Sequence, residues 1–403
     1  MKFAHMADVH IGSWRDPKLK DLSTEAFLKA VIICVDQNVD FVLISGDLFN
    51  TALPGIDNLK LVVKALRALR SKKIPVYIIA GSHDFSPSGK TMIDVLEEAG
   101  LVRNVFKGYA KDNILHLKFT LDEKTGCKIA GVLGKKGTLE KGYYERLDIE
   151  SLEKESGKKI FMFHSAIKEL MPNDYGQMDS LELSSLPKGF EYYAGGHVHI
   201  IKEFKEQGYK NIIYPGPVFP ANFIELEKLG CGGFFIYEDG KITREDINIK
   251  NTFCAEVNAE HKSPQEVESE IYEKISGKQF LNTIVLIKVF GKLKSGKASD
   301  IKMKELFEKI YTQGAYYIMK STSRVVSEEY EEIRIDEKNF EDVEDALMKE
   351  HLGQIKIKGM TQGKEYEMTK NLISAFSQEK HEGEKVYEYE DRIKKEVDRL
   401  LEL

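Results

Sequence analysis

The chain has 403 residues, 42% hydrophobic and 31% charged, which is ordinary globular usage and excludes a disordered, collagen-like or disulfide-scaffold protein. At roughly 150 residues per domain the length implies two to three domains and excludes a single small module. A net charge of −6 and a pI near 6.0 deny the chain the global basic field of many nucleic-acid binders, so any contact with DNA has to be local.

Short apolar runs bounded by Gly, Asp, Asn or Ser predict strands at Lys2–Ala7, Phe41–Ser45, Val76–Ala80, Ile160–Phe163 and Tyr192–Ala194. Helices fall between the early ones, the first over Thr24–Gln37. Leu59, Val62, Val63, Leu66 and Leu69 follow the spacing of one buried helix face, with Lys72 and Lys73 at its C-terminal end. A third helix, Thr91–Ala99, opens on Thr91 and Asp94 as an approximate capping box and stops at Gly100. Alternation of strand and helix implies βαβ crossovers and an α/β layered domain whose ligands sit outside the carboxyl ends of the strands.

Around Asn248–Asn258 the pattern changes. A helix at Ser263–Ser276, a strand at Ile284–Phe290, a helix at Asp300–Thr312 and a strand at Tyr316–Met319 suit a small α+β unit. Lys288 to Lys309 holds seven lysines, either a stripe for phosphates or a solvated face. Glu328–Glu350 is strongly acidic and should avoid DNA. After a polar, Gly-rich stretch at Gly353–Gly363, a terminal helix carries Ile393, Val397, Leu400 and Leu401 on one apolar face, to pack on its own domain or in a partner's groove. Residues 1–250 balance 34 basic against 34 acidic side chains, so the negative charge lies wholly after residue 250.

Cys34, Cys127, Cys231 and Cys254 form no close pair and read as buried thiols in a reducing compartment. No charged leader precedes an apolar stretch and no run approaches the ~20 apolar residues of a membrane span, so a cytoplasmic protein without membrane contact is expected.

The chemistry is at the strand ends. In order they deliver Asp8-Val9-His10, Gly46-Asp47, Gly81-Ser82-His83-Asp84, His164, and Gly195-Gly196-His197-Val198-His199. Asp8 and His10 are spaced by two, as are His197 and His199, so in an extended segment each pair points to one side. Carboxylates with several imidazoles and no thiolate suit manganese, iron or zinc, and their number exceeds what one four-coordinate ion uses. Two ions sharing a carboxylate, about 3.5–4 Å apart, activate water and clamp the oxygens of an in-line phosphoryl displacement. Phosphoester hydrolysis is the natural reaction, with a non-ligand histidine free to protonate the leaving group.

This ordered set resembles the calcineurin-like metallophosphoesterase superfamily, and HMADVHIG, LISGDLFN, VYIIAGSHD, GGHVH and YPGP are similar to its SbcD/Mre-eleven branch of double-strand-break repair nucleases. The resemblance implies a layered β-sandwich core flanked by helices over residues 1-250, an α+β capping, DNA-contacting domain over 251-335, and a C-terminal region, 336-403, that binds an SMC-like ATPase of the SbcC/Rad-fifty type. It further implies that Asp8, His10 and His199 hold one metal ion, most commonly Mn2+, that His164 and His197 hold a second, that Asp47 bridges them, and that His83 is the catalytic non-ligand. Ser82 stands where the family has an Asn ligand to the second ion, and Asn50 where many members carry a histidine tied to exonuclease action. Homodimerisation through the helices around Leu59–Leu69 and Thr91–Ala99 is implied in the same way. Since no G-x-x-x-x-G-K-[ST] loop occurs here, ATP dependence has to come from the partner. A small-molecule phosphatase or phosphodiesterase on the same metal core, and a weakly catalytic DNA-tethering scaffold, are the alternatives. Among the remaining residues, His5 is expected to be packed or hydrogen-bonded, His116, His261, His351 and His381 to face solvent, Asp84 to orient His83 or brace its turn, and Asp16, beside Trp14 and Arg15, lies in a loop where family members contact substrate.

Overall fold

A computed structural model of the chain describes residues 1–86, 89–172, 179–327, 361–378, 380–381, 384 and 386–401. It divides into two units, Met1–Glu329 and Tyr330–Leu403. In chain order the strands of the first 250 residues are β1 (Lys2–Met6), β2 (Phe41–Ser45), β3 (Val76–Ile79), β4 (Arg103–Asn104), β5 (Gly108–Lys111), β6 (Ile114–Leu117), β7 (Thr120–Leu121), β8 (Lys128–Val132), β9 (Lys159–His164), β10 (Tyr192–Gly196), β11 (Ile201–Glu206), β12 (Tyr209–Pro215), β13 (Gly232–Glu238) and β14 (Lys241–Ile247). The helices are α1 (Leu22–Asp36), α2 (Ile56–Ser71), α3 (Met92–Glu98), α4 (Lys141–Tyr144), α5 (Ile149–Lys154), α6 (Phe223–Leu229), α7 (Pro264–Ile275) and α8 (Met303–Thr312).

One six-stranded sheet has the order β14-β13-β1-β2-β3-β4 and the other β11-β12-β10-β9-β8-β7. The centre of each is parallel, from β1 to β4 and from β8 through β9 and β10 to β12, while β13, β14, β11 and β7 run antiparallel to their neighbours. Strict alternation builds a sandwich from them. Phe3, Phe41, Tyr77, Ile160, Met162, Tyr192 and Phe235 fill the space between the sheets, whereas Ala4, Met6, Val42 and Ile44 turn outward onto α1 and α2. The face foreseen for α2 is used, with Val62, Leu66 and Leu69 buried and Leu59 and Val63 partly so. Thr91 and Asp94 make the reciprocal capping box of α3. The apolar runs of β8, β12 and β13 carry no chemistry-bearing turn and went unassigned, yet they complete both sheets.

After residue 250 come β15 (Asn251–Asn258), β16 (Thr283–Leu293) and β17 (Tyr317–Ser327), a third sheet in that order with all strands parallel and α7 and α8 as its crossovers. Val285, Ile287 and Val289 pack under those helices, while Ile284 and Leu286 face the other way and join the helix-covered core of the first sheet. Ser263 and Glu266 form the capping box that starts α7 at Pro264. Polar contacts fasten the third sheet to the core: the Tyr317 hydroxyl donates to Asp16 Oδ2 at 2.7 Å, the Tyr316 hydroxyl to the Lys18 carbonyl, and Thr252 Oγ1 to the Gly230 carbonyl at 2.7 Å. Of the lysine stripe, Lys288 is committed to Glu227 and Glu256, and Lys309 lies 3.9 Å above the Tyr272 ring.

In the second unit two helices, Gln362–Phe376 and Val386–Leu400, contact each other, with Ala375 and Ile393 buried. Arg392 binds Glu384 and Gln378, and the Tyr389 hydroxyl donates to the Gln378 carbonyl. Ile393 of the expected apolar face is therefore covered, Val397 and Leu400 are half-buried and Leu401 is exposed. The acidic run Glu328–Glu350, His351 and most of Gly353–Gly363 lie outside the described residues. Among those described, no helix is long and apolar enough to cross a membrane.

Candidate metal centre

Because β1, β2 and β3 are parallel in one sheet and β9 and β10 in the other, their carboxyl ends carry the predicted residues. Asp8 and His10 follow β1, Asp47 follows β2, Ser82 and His83 follow β3, His164 ends β9, and His197 and His199 follow β10. The backbone there is not extended. Asp8, His10, Asp47, His197 and His199 have φ of 50°, 45°, 51°, 96° and 51°, the left-handed region that side chains other than glycine rarely adopt. The equal-facing argument from spacing holds for Asp8 and His10, which share one cluster with His199, and fails for His197, whose ring lies beside His164 with centroids 5.1 Å apart. The left-handed turns between β10 and His199 redirect the pair.

Three overlapping groups of ligand atoms lie within 4.8 Å of one another: Asp8, His10 and His199; His10, Asp47 and His83; and Asp8, Asp47 and His164. Asp47 Oδ2 is 3.2 Å from His164 Nε2 and 3.6 Å from His10 Nε2, and Asp8 Oδ1 is 3.7 Å from His199 Nε2. The rings are aimed from behind. His164 Nδ1 donates to the Ser45 carbonyl at 2.8 Å, and His83 Nδ1 to the Asn50 carbonyl at 3.0 Å. His199 Nδ1 donates to Glu225 Oε1 at 2.9 Å, which leaves Nε2 of all three for the cleft. Asp8 accepts the His197 N–H, and Asp47 Oδ1 the His83 N–H at 2.8 Å. His10 Nε2 and His199 Nε2 stand 2.9 Å apart, at hydrogen-bond distance, and face one point. His10 Nδ1 is buried without a hydrogen bond and His164 Nε2 has only the Asp47 carboxylate beside it, and a buried polar atom without a partner requires an explanation.

Electrostatics gives one. Burial pushes the Asp8 carboxyl up and drives His10 down to about 3 and His197 down to about 4. Burial also disfavours charge on His164 and His199, but Asp47 and Asp8 beside the first lift it to about 10, and Asp8 and Glu225 beside the second lift it to about 9. Asp47, despite its burial, is held low by His164 and His10. Two buried carboxylates thus draw positive charge into a pocket of convergent imidazole nitrogens, charge that divalent cations could supply in place of those protons. The donor set of carboxylate oxygens and imidazoles fits such ions.

Close backbone approach makes room for the ligands. A Cβ on Gly81 would fall 2.2 Å from Asp47 Oδ1, and one on Gly134, a glycine the motifs did not single out, 2.4 Å from His164 Cδ2. Ser82 is buried in the turn between Gly81 and His83. Asp84 accepts the Gly81 and Phe49 N–H groups, so it braces the turn rather than His83. Glu225, near the start of α6, was also missed: its sequence signal is that of an ordinary capping acid, since Asn222 caps the helix through the Glu225 N–H. His5 is buried between Tyr192 Oη and Ser45 Oγ as expected. His116 departs from expectation, being half-buried with Nδ1 2.7 Å from Asp148 Oδ2, whereas His261 and His381 are exposed. Asp16 is engaged by Tyr317 and by the Lys18 N–H, and Trp14 Nε1 donates to the Pro220 carbonyl.

The description "Calcineurin-like phosphoesterase" belongs to the family model that matches residues 1–200. The DNA double-strand break repair protein Mre11 of Archaeoglobus fulgidus is 30% identical over 321 residues, which cover 75% of this chain and 70% of that protein. The protein of the same name from Methanocaldococcus jannaschii is 30% identical over 317 residues, covering 73% of this chain and 77% of its own. That from Saccharolobus solfataricus is 29% identical over 245 residues, covering 59% and 60%. The matched length reaches past the ligand turns of the sandwich into the third sheet, and the chain belongs to the Mre11 family of calcineurin-like phosphoesterases.

Proposed function

We propose that the protein is a metal-dependent DNA nuclease that hydrolyses phosphodiesters at DNA ends in double-strand-break repair. The observation that carries this reading is the convergence of two buried carboxylates and four imidazoles on one cleft, with His164 Nε2 facing the Asp47 carboxylate inside it. Asp8, His10 and His199 would hold one ion and His164 and His197 a second, with Asp47 shared and Ser82 in place of the family's asparagine. Manganese suits this donor set. When bound, two such ions activate a water and neutralise the charge that develops on the phosphoryl oxygens.

The chain's own residues supply the rest. Asp47 and Asp8 hold the imidazoles in place, and the Ser45, Asn50 and Glu225 oxygens fix which ring nitrogen faces the substrate. His83, anchored through Nδ1, presents Nε2 to the cleft, where it gives a proton to the departing sugar oxygen. Residues 1-250 form the catalytic core, 251-335 the cap over DNA, and 336-403 the region that meets an SMC-like ATPase. A homodimer forms through α2 and α3, where Ile56 and Val95, with Leu53 just before α2, are exposed apolar side chains. A cytoplasmic, nucleoid-associated location goes with this role.

End-labelled single- and double-stranded DNA incubated with manganese or EDTA, beside His83→Ala, tests the reading. Manganese-dependent cleavage lost in the variant is expected; hydrolysis of bis-nitrophenyl phosphate without any cleavage of DNA would sink it. Deleting residues 391–403 should weaken ATPase binding and leave cleavage nearly unchanged.

A further inference from the structure

Past the end of β8 the chain runs through Gly134, packed on the His164 ring, directly into Lys135. The loop is tied to the metal centre a second time, because the buried Glu140 carboxylate accepts both the Lys135 N–H at 3.2 Å and the hydroxyl of Ser165, the residue after His164, at 3.0 Å. Beside this loop lies a pocket of about 380 Å³ between α4 and the β5–β6 hairpin. Leu115, Leu139 and Tyr143 give it apolar walls, and Lys135 and Arg146 are its charged residues; no acid lines it. Tyr143 is backed by Phe106, with ring centroids 5.3 Å apart, and Lys135 Nζ lies 4.8 Å from the Tyr143 centroid. Arg146 donates to Asn113 Oδ1 at 3.3 Å, which holds the guanidinium at the pocket wall with donors to spare. Leu139, 72% exposed, lines the pocket from the solvent side.

An aromatic ring and aliphatic walls beside two cations and no acid recognise a ligand that is flat, apolar on its faces and anionic at its edge. A nucleotide has that chemistry. Within a duplex each base is covered on both faces by its neighbours and paired along its edge, so only an unpaired base can enter a pocket. We propose that this pocket takes one unpaired nucleobase of a DNA strand lying across the metal cleft, with Lys135 and Arg146 meeting the flanking phosphates. The assignment rests on the nuclease reading above and adds to it a preference for single-stranded or frayed ends.

The test uses the full chain in EDTA, so that nothing is cut, with two probes: a single-stranded oligothymidylate carrying one 2-aminopurine, and a blunt hairpin duplex. Leu139→Ala combined with Arg146→Gln alters exposed side chains, and an unchanged melting temperature checks the fold. The double variant should bind the single strand about tenfold more weakly and lose the change in 2-aminopurine fluorescence seen with wild type, while duplex affinity stays within about twofold. Unchanged single-strand binding, or an equal loss on both probes, overturns the pocket and leaves the nuclease reading standing. Wild-type protein that binds neither probe in EDTA also overturns the pocket, while the nuclease reading stands or falls on the manganese cleavage assay.

Discussion

Glu225→Ala is the sharpest probe of how the metal centre is held. Glu225 Oε1 accepts the His199 Nδ1–H at 2.9 Å, and Oε2 accepts the Ala221 N–H at 2.8 Å; the side chains of the pair are 20% and 16% exposed, so water screens them little. Burial would raise the Glu225 carboxyl, but His199 holds it below the usual range, as a charge-assisted bond should. Such a bond contributes about 1.5–3 kcal/mol. Loss of the partner behind a metal-binding histidine costs about 10–100-fold in affinity, or about 1.4–2.7 kcal/mol. The two ranges overlap near 2 kcal/mol, so Glu225→Ala should weaken Mn2+ binding about 30-fold. Glu225→Gln keeps an acceptor for His199 while turning an amide N–H2 towards Ala221, and should lose only about fivefold. Isothermal titration with Mn2+ and the visible spectrum of the Co2+-loaded protein report the site directly, apart from turnover. Wild-type affinity and an unaltered Co2+ spectrum in Glu225→Ala would show that His199 is held by something else, and the reasoning fails.

The other expectations concern separate parts of the molecule. Gly134→Ala places a Cβ 2.4 Å from His164 Cδ2 and 2.7 Å from its carbonyl oxygen, so chemical denaturation should show a loss of about 1–3 kcal/mol; a variant as stable as wild type contradicts the packing argument. His5 is kept neutral by burial, its pKa lowered from 6.5 to about 3, so the unfolded chain takes up a proton that the fold refuses as pH falls below 6.5. Stability should therefore drop on the acid side, by about 2 kcal/mol from this group near pH 5, and His5→Gln should remove that part of the drop; parallel acid limbs would refute the assignment. Tyr317→Phe removes the bond to Asp16 and should raise amide hydrogen exchange in residues 12–20 while leaving the centre of the third sheet protected. Unchanged exchange would mean that the clasp does not restrain the loop.

Much of the site is legible in the sequence because fully buried parallel strands read as short apolar runs, and their carboxyl-terminal turns stand out when each carries Asp or His. Asp8, His10, Asp47, His164, His197 and His199 announce themselves this way. What supports them does not. The acceptors of the His83 and His164 rings are main-chain oxygens of Asn50 and Ser45, which any residue offers. Glu225 lies 26 positions from His199 and resembles an ordinary first-turn acid. Gly134 matters only through the ring packed on it. β15 hides for another reason: NTFCAEVN mixes polar and apolar residues, and its strand character comes from pairing with β16.

The left-handed backbone at positions 8, 10, 47, 197 and 199 leaves a trace in how the sequence tolerates change. Glycine there would relieve about 1 kcal/mol or more at each position while deleting a ligand. A library screened only for survival on heating should therefore enrich glycine at positions 10 and 197 ahead of 8, 47 and 199, whose side chains also satisfy buried partners. A map of heat-selected substitutions would then outline the centre without any measurement of catalysis, as the place where thermal endurance and the capacity to hold metal pull in opposite directions.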